Sequence, residues 1–265
     1  MPLLEWPIPL LRHRTFAGKF RLVQKLCPRH GMRTAKVYGS TMHLDLSDFI
    51  QWQIYLGCFE DRDAKRMKNH LPRGGVMIDA GANVGFFTAL AAHCVGPTGK
   101  VFAVEPSPYA FGKLQQLISD NKLSQVHAEQ IALSDTPGEL PLYITPDEAH
   151  NHTPTLVPSE GLKTVQVPVK TLDERLDAWG VTSIDVLKMD VEGYELHVLK
   201  GAHRTLAANR IKTIFLEFNE SWLQKAGASG TELWRFLEAQ GFKPQYGLQI
   251  DQLNSRDAVS GFFAR

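Results

Sequence analysis

Cysteine is scarce in this chain: Cys27, Cys58 and Cys94 are the only three in 265 residues, far apart and odd in number. No CxxC pair occurs, which argues against a disulfide framework or a structural zinc site, and the three read as small apolar side chains in a reducing compartment. Net charge is equally scarce. Lys plus Arg number 29 and Asp plus Glu 28, leaving +1, so a broad basic surface for nucleic acid is not expected, although a local basic groove stays open. No apolar run approaches the ~18 residues that a membrane span needs. The opening stretch, residues 1–11, is apolar but is interrupted by Glu5 and by Pro2, Pro7 and Pro9. It lacks a basic region leading into a continuous apolar one, so no secretory leader is expected and the default location is the cytoplasm. Repeats and low-complexity tracts are also missing, and 43% hydrophobic residues suffice for a core, which excludes a disordered chain.

What is present divides into an N-terminal extension with a lead-in helix, residues 1–70, and a regular domain, residues 71–265. The extension carries Arg12, Arg14, Lys19, Arg21, Lys25 and Arg29. These form a solvated face or, alternatively, a surface for a membrane or a partner; the proline-rich start also offers a contact for a second copy in a homo-oligomer. Residues 42–46 read as a short strand and residues 47–68 as one helix capped by Ser47 or Asp48. From Gly75 onward, strands and helices alternate: strand 76–80, helix 86–95, strand 101–105, helix 108–121, strand 126–133. After a proline-rich loop at 145–160 come strand 164–169, helix 172–179, strand 184–190, helix 194–208, strand 211–218, helix 231–240 and two short closing strands. That alternation predicts βαβ units and an α/β fold: a doubly wound, mostly parallel sheet covered on both faces, with an N-terminal helical extension.

Ligands of such a sheet bind beyond the carboxyl ends of its strands, where strand order reverses. The first core strand runs into Asp79-Ala-Gly81-Ala82-Asn83-Val84-Gly85. Gly81 permits a sharp turn with no Cβ in the way, and Gly85 permits close packing of the next helix. Twenty residues beyond Gly85 stands Glu105, followed by Pro106 and Ser107, at the end of the second strand, where a carboxylate can accept from both hydroxyls of a ribose. Ala132 and Leu133, ending the third strand, supply apolar walls for an adenine or are ordinary core residues. The glycine spacing is G-x-x-x-G, with Asn83 where a dinucleotide fingerprint has its middle glycine. Asn83 can instead cap the next helix. Asp79 points negative charge at the turn, which repels a pyrophosphate and attracts a sulfonium, so the sign favours S-adenosylmethionine over NAD.

VMIDAGANVGFFT (76–88) and VFAVEPSP (101–108), with ALSDTPGELPLY (132–143), VPVKTLDERL (167–176) and IDVLKMDVEGYELHVLKGA (184–202), resemble the FkbM-type S-adenosylmethionine methyltransferases. The lead-in DLSDFIQWQIYLGCFED (45–61) is similar too, so the resemblance spans roughly residues 40–220 and leaves the first 40 residues and the C-terminal tail uncovered. It implies a class I methyltransferase fold and O-methylation of a hydroxyl on a sugar, polyketide or related metabolite, a small-molecule or glycan acceptor that the resemblance does not choose.

Methyl transfer asks the protein to hold a hydroxyl in line with the departing sulfur and to remove its proton. Asp190 and Glu192, directly after the strand at 184–190, are candidates for accepting that proton, with one of them holding the methionyl part of the cofactor or a second hydroxyl. Their alternative role is as helix N-terminal charges. Glu195, one turn further, reads as a dipole or surface residue. Glu217 contacts substrate, or joins Asp190 and Asn219 as oxygen ligands of a Mg²⁺ ion, a less favoured reading. His152, with His150 in the long loop, serves as general base if the loop folds over the site, and otherwise as an exposed histidine. Lys188 pairs with a neighbouring carboxylate or has no role. Tyr55, Phe59 and Glu60 either wall the cofactor pocket or pack in the core. Two rival functions stay in view: an NAD-dependent oxidoreductase or epimerase, which would want the middle glycine that Asn83 replaces, and a non-catalytic adenosine-binding scaffold.

Overall fold

The structure, a computed structural model, describes residues 18–27, 29–144, 154–254 and 258–265. The candidates His150 and His152 lie outside the described residues. Helix α1 (Lys19–Leu26) leads into a hairpin of β1 (Met32–Val37) and β2 (Ser40–Asp45), then helices α2 (Phe49–Leu56) and α3 (Asp61–Lys68). The extension is therefore not purely helical. The single helix expected at 47–68 is broken: Asp48 caps its start by accepting from the Gln51 amide, but Gly57 (φ 66°) and Glu60 (φ 45°) are left-handed and turn the chain between two helices.

The alternating region supplies β3 (Val76–Ala80), α4 (Phe86–Val95), β4 (Lys100–Val104), α5 (Pro108–Asp120), β5 (Val126–Glu129), β6 (Ala132–Leu133), β7 (Gly138–Ile144), β8 (Lys163–Lys170), α6 (Leu172–Trp179) and β9 (Ile184–Met189). Short helices α7 (Glu195–Lys200) and α8 (His203–Ala207) follow, then β10 (Ile211–Phe218), α9 (Glu220–Lys225), α10 (Gly230–Ala239), β11 (Lys243–Pro244) and β12 (Val259–Ala264). The main sheet has the order β11-β12-β10-β9-β3-β4-β5. Strands β5, β4, β3, β9 and β10 are parallel, and β12 runs antiparallel between β10 and β11. The chain leaves β3 toward β4 and β5 and returns to β9 on the other side, so the order reverses between β3 and β9 and a crevice opens there.

Three expectations need correction. The apolar run 126–133 is two strands: β5 stays in the main sheet, whereas β6 pairs with β8 in a separate three-stranded sheet of order β6-β8-β7. The strand at 164–169 belongs to that small sheet too, paired antiparallel with β7. The helix at 194–208 is interrupted at Gly201, where a Cβ would strike the Ser134 backbone. Side chains of β3 alternate between two cores: Met77 joins Phe87, Val186, Leu44, Trp52 and Met67 on one face, while Ile78 and Ala80 join Leu187, Met189 and Ile214 on the other. Residues from the N-terminal segment thus share a continuous core with the sheet. Among the described residues, no helix is long and apolar enough to cross a membrane.

Candidate active site

The turn after β3 is fixed from both neighbouring strands. The amides of Gly81 and Ala82 both donate to the Val104 carbonyl at 3.0 Å, and the Asp190 amide donates to the Ala80 carbonyl at 3.1 Å. Gly81 (φ +74°) meets the Asp190 carbonyl so closely that any Cβ would overlap it. Asn83 is left-handed (φ 50°), and its Oδ1 accepts from the Val84 amide. It is not the helix cap; that place belongs to Gly85 (φ +91°), whose missing Cβ leaves room for α5, since a methyl there would stand 2.5 Å from Leu117 Cδ2 and 2.9 Å from Leu114 Cδ1. Sequence reasoning saw the need for Gly85 but assigned it to the wrong helix contact.

Glu105 closes β4 with its carboxylate folded back on this turn. Oε2 accepts from the Asn83 amide at 2.8 Å and Oε1 from the Ser107 amide at 2.9 Å. Burial pushes its pKa up to about 7, against the pull of those two amides and of Lys188. A carboxylate offers about four acceptor positions. The backbone takes two, which leaves acceptor capacity for the two hydroxyls of a ribose.

Asp79 requires a correction. Its place on β3 turns it to the α4 side of the sheet, where it is fully buried: Thr88 Oγ1 donates to Oδ2 at 2.6 Å and Lys188 Nζ lies 3.3 Å from Oδ1. It does not reach the crevice, and its charge is matched by lysine. The electrostatic sign nevertheless holds, carried by other residues. A cavity of about 290 Å³ lies beyond the ends of β3, β4 and β9, and the charged side chains lining it are Asp48, Glu105, Asp190 and Glu192. No Lys, Arg or His is among the described residues that line it. A sulfonium and an ammonium fit such a lining and a pyrophosphate does not.

Of the residues nominated from sequence, Gly81, Asn83, Glu105, Pro106, Ser107, Ala132, Leu133, Asp190 and Glu192 meet in this one cavity. Ala82, Val84 and Gly85 shape the turn from beneath without lining it. Ile131 and Val104 extend the apolar wall, and Phe49 and Ile50 of α2 with Leu142 and Ile144 of β7 complete the enclosure. These last four were missed. The small sheet that brings Leu142 and Ile144 is built from long-range pairings, and for Phe49 and Ile50 only the N-cap at Asp48 gave a local signal. Tyr55 is core, and Phe59 packs edge-on against Phe86 with centroids 5.0 Å apart.

The segment 190–195 is a turn wound round a buried acid. Glu195, read from sequence as a surface charge, is only 3% exposed; its Oε1 accepts from the Val191 amide at 3.1 Å and the Gly193 amide at 3.4 Å. Burial pushes it up to about 7. Glu192 (φ 51°) and Gly193 (φ +99°) are both left-handed, and a Cβ on Gly193 would press into the Trp222 carbonyl at 2.6 Å. Glu217, near the end of β10, does not line the cavity but is electrostatically tied to it. Burial first, then the charges of Asp190, Glu192 and Glu60, push it up to about 8. Glu60 is likewise pushed up to about 7 by burial, Asp63 and Asp190.

Asn219 Oδ1 accepts from the Trp222 amide and caps α9, and among the described residues no group of three or more His, Cys, Asp or Glu is placed to hold a metal ion.

A parallel sheet with an antiparallel strand inserted near one edge, a glycine turn after its central strand and an acid closing the neighbouring strand define a class I methyltransferase fold. The model of the FkbM methyltransferase domain matches residues 79–244, and the chain belongs to that family of S-adenosylmethionine-dependent methyltransferases. It is 34% identical over 163 residues to methyltransferase sdnD of Sordaria araneosa, covering 50% of this chain and 62% of that protein. It is 32% identical over 133 residues to the hexuronic acid methyltransferase AglP of Haloferax volcanii, covering 49% and 51%. It is 28% identical over 176 residues to the 31-O-demethyl-FK506 methyltransferase FkbM of Streptomyces tacrolimicus, covering 56% and 67%. The match thus spans about three fifths of the first of these relatives. The crystal structure of methyltransferase FkbM from Methylobacillus flagellatus superposes with a TM-score of 0.49 at 14% identity, over 98% of this chain and 59% of that one.

Proposed function

We propose that this chain methylates a hydroxyl oxygen of a sugar or secondary metabolite with S-adenosylmethionine as donor. The observation that carries the reading is the cavity at the β3–β9 crevice, whose charged lining among the described residues is carboxylate alone and whose acid Glu105 retains acceptor capacity. Glu105 holds the ribose, Ile131, Ala132 and Leu133 flank the adenine, and the Gly81–Asn83 turn lets the ligand approach the backbone. Phe49 and Ile50 exclude water from the reacting end.

When bound, the cofactor supplies a methyl carbon to which an acceptor oxygen bonds while the carbon–sulfur bond breaks and its electron pair returns to sulfur. The acceptor's proton goes to the Asp190–Glu217 carboxylate pair at the ends of β9 and β10, with Glu192 orienting the hydroxyl. Burial and the charges of Asp190, Glu192 and Glu60 hold Glu217 up at about 8, a proton affinity suited to a base acting on an alcohol near neutral pH. The acidic surroundings favour an uncharged acceptor over an anionic one. O-methylation draws support from the name of the Streptomyces relative, and a sugar acceptor from that of the Haloferax relative. A cytoplasmic location goes with this reading and draws support from the scarcity and wide spacing of Cys27, Cys58 and Cys94.

Incubation with methyl-labelled S-adenosylmethionine and a panel of neutral glycosides, uronic acids and hydroxylated polyketides tests this. Label in an O-methyl product, with neutral acceptors ahead of uronic acids, is expected. Label on nitrogen, or none with any acceptor, would overturn it.

A further inference from the structure

Lys188 is the buried cation of this otherwise acidic centre, and the geometry places it where the two halves of the sheet meet. It sits next to last on β9, 3% exposed, with Nζ 5.6 Å above the Phe87 ring. Nζ donates to the Gly81 carbonyl at 2.6 Å and to the Ala80 carbonyl at 3.4 Å. It lies 3.3 Å from Asp79 Oδ1 and 3.9 Å from Asp190 Oδ2. Neutralising Asp79 needs only the first of those ion pairs. The contacts with the Gly81 carbonyl and with Asp190 serve no such purpose, since one belongs to the turn beneath the cofactor and the other to the acceptor side.

We propose that Lys188 is a positioning residue for methyl transfer, its ammonium tying the glycine turn after β3 to Asp190 after β9 so that donor and acceptor keep one register. The proposal rests on the cofactor reading above. Burial works against the lysine's charge, but Asp79, Asp190 and Glu105 more than offset it and raise its pKa, so the ammonium stays charged. Its charge is in turn felt by Glu105 on the ribose side and by Glu60 and Glu217 on the acceptor side, lowering all three. One buried group thus acts on both substrates' acids.

Lys188→Met alone strands Asp79 as an unpaired buried charge and is expected to fail in folding for that reason. The informative comparison is Asp79→Asn, which keeps the lysine, against Asp79→Asn/Lys188→Met, which removes both members of the buried ion pair and keeps similar volume. Each is titrated calorimetrically with S-adenosylmethionine and S-adenosylhomocysteine at pH 7 in two buffers of different ionisation enthalpy, which counts the protons released on binding. The acids that titrate are Glu60, Glu105 and Glu217, with Asp63, Asp190 and Glu192 beside them. The double variant is expected to unfold as cooperatively as the single one. It should bind both ligands at least about tenfold more weakly, on the scale of one lost hydrogen bond to a charged group. It should also release more protons on binding S-adenosylmethionine, because carboxyls freed from the ammonium start more fully protonated. If Lys188 only neutralises Asp79, the double variant matches Asp79→Asn in affinity and proton count, and the proposal is wrong. A wild-type chain that binds neither ligand would instead defeat the cofactor reading, and the proposal with it, so the two failures are distinguishable.

Discussion

Replacing Gly81 by alanine is the most local test of the crevice. The residue is left-handed at φ +74°, and its Cβ would fall on the Asp190 carbonyl oxygen, well inside the ~3.3 Å at which carbon and oxygen normally meet. Two penalties combine. Left-handed backbone costs an alanine about 1–2 kcal/mol, and forcing an extra methyl into a packed interior costs about 1–3 kcal/mol more, because the backbones of two strands must part. The sum is about 2–5 kcal/mol. Gly180 supplies the control: it has nearly the same backbone (φ +64°) at the end of α6, with no atom within 4 Å of its would-be Cβ. Gly180→Ala carries only the first penalty, and the gain of about 0.4–1 kcal/mol from a stiffer unfolded chain applies to both variants and cancels between them. Urea unfolding should therefore separate the two variants by about 1–3 kcal/mol, with Gly81→Ala the weaker. Because the displaced atom is the carbonyl of Asp190 itself, S-adenosylmethionine binding and turnover should fall in Gly81→Ala and hold in Gly180→Ala. Equal stability and equal binding in the two variants would refute the close approach of β3 and β9.

Glu105→Ala should weaken S-adenosylmethionine binding by about 1–3 kcal/mol in calorimetric titration, and an unchanged affinity would remove it from the ribose site. Turnover at saturating donor and acceptor should rise with pH through about 8, where Glu217 loses its proton and the pair becomes able to accept one. Glu217→Gln should abolish that rise, whereas an identical profile would take Glu217 out of the reaction. Glu195 bears on stability: its folded pKa of about 7 lies above the ordinary 4.5, so the native state holds a proton that the unfolded chain gives up. Its contribution is complete below about pH 4.5 and is lost as pH rises through 7, a difference of up to about 3 kcal/mol. Urea midpoints of the wild type should fall over that interval more steeply than those of Glu195→Gln; parallel curves would place the acid elsewhere.

Local signals carried much of the architecture. Helix 172–179 and strand 211–218 were legible to the residue, because Thr171 and Glu174 form a capping box and Ile214, Phe215 and Leu216, flanked by Ile211 and Phe218, mark a largely buried strand. The glycine turn and Glu105 were legible because their spacing reflects a backbone requirement rather than a packing choice. Tertiary contacts hid the rest. Gly201 breaks a helical pattern only because Ser134, far away in sequence, passes over it. β7 escaped notice because Gly138 reads as a turn and Pro141 as a breaker, yet a proline is tolerated on the edge strand of a small sheet. The fate of each charge was least legible. Asp79 and Lys188 are 109 positions apart and neutralise one another in the interior, and Glu195 in a helical pattern looks solvated until the 190–195 turn closes over it.

The central claim is that the crevice between β3 and β9 accepts a positively charged methyl donor and rejects a diphosphate. Calorimetric titration of the intact chain with S-adenosylmethionine and, separately, with NAD addresses it directly. One-to-one binding of the sulfonium with no heat from the dinucleotide is the predicted result; saturable NAD binding with a silent sulfonium would contradict it.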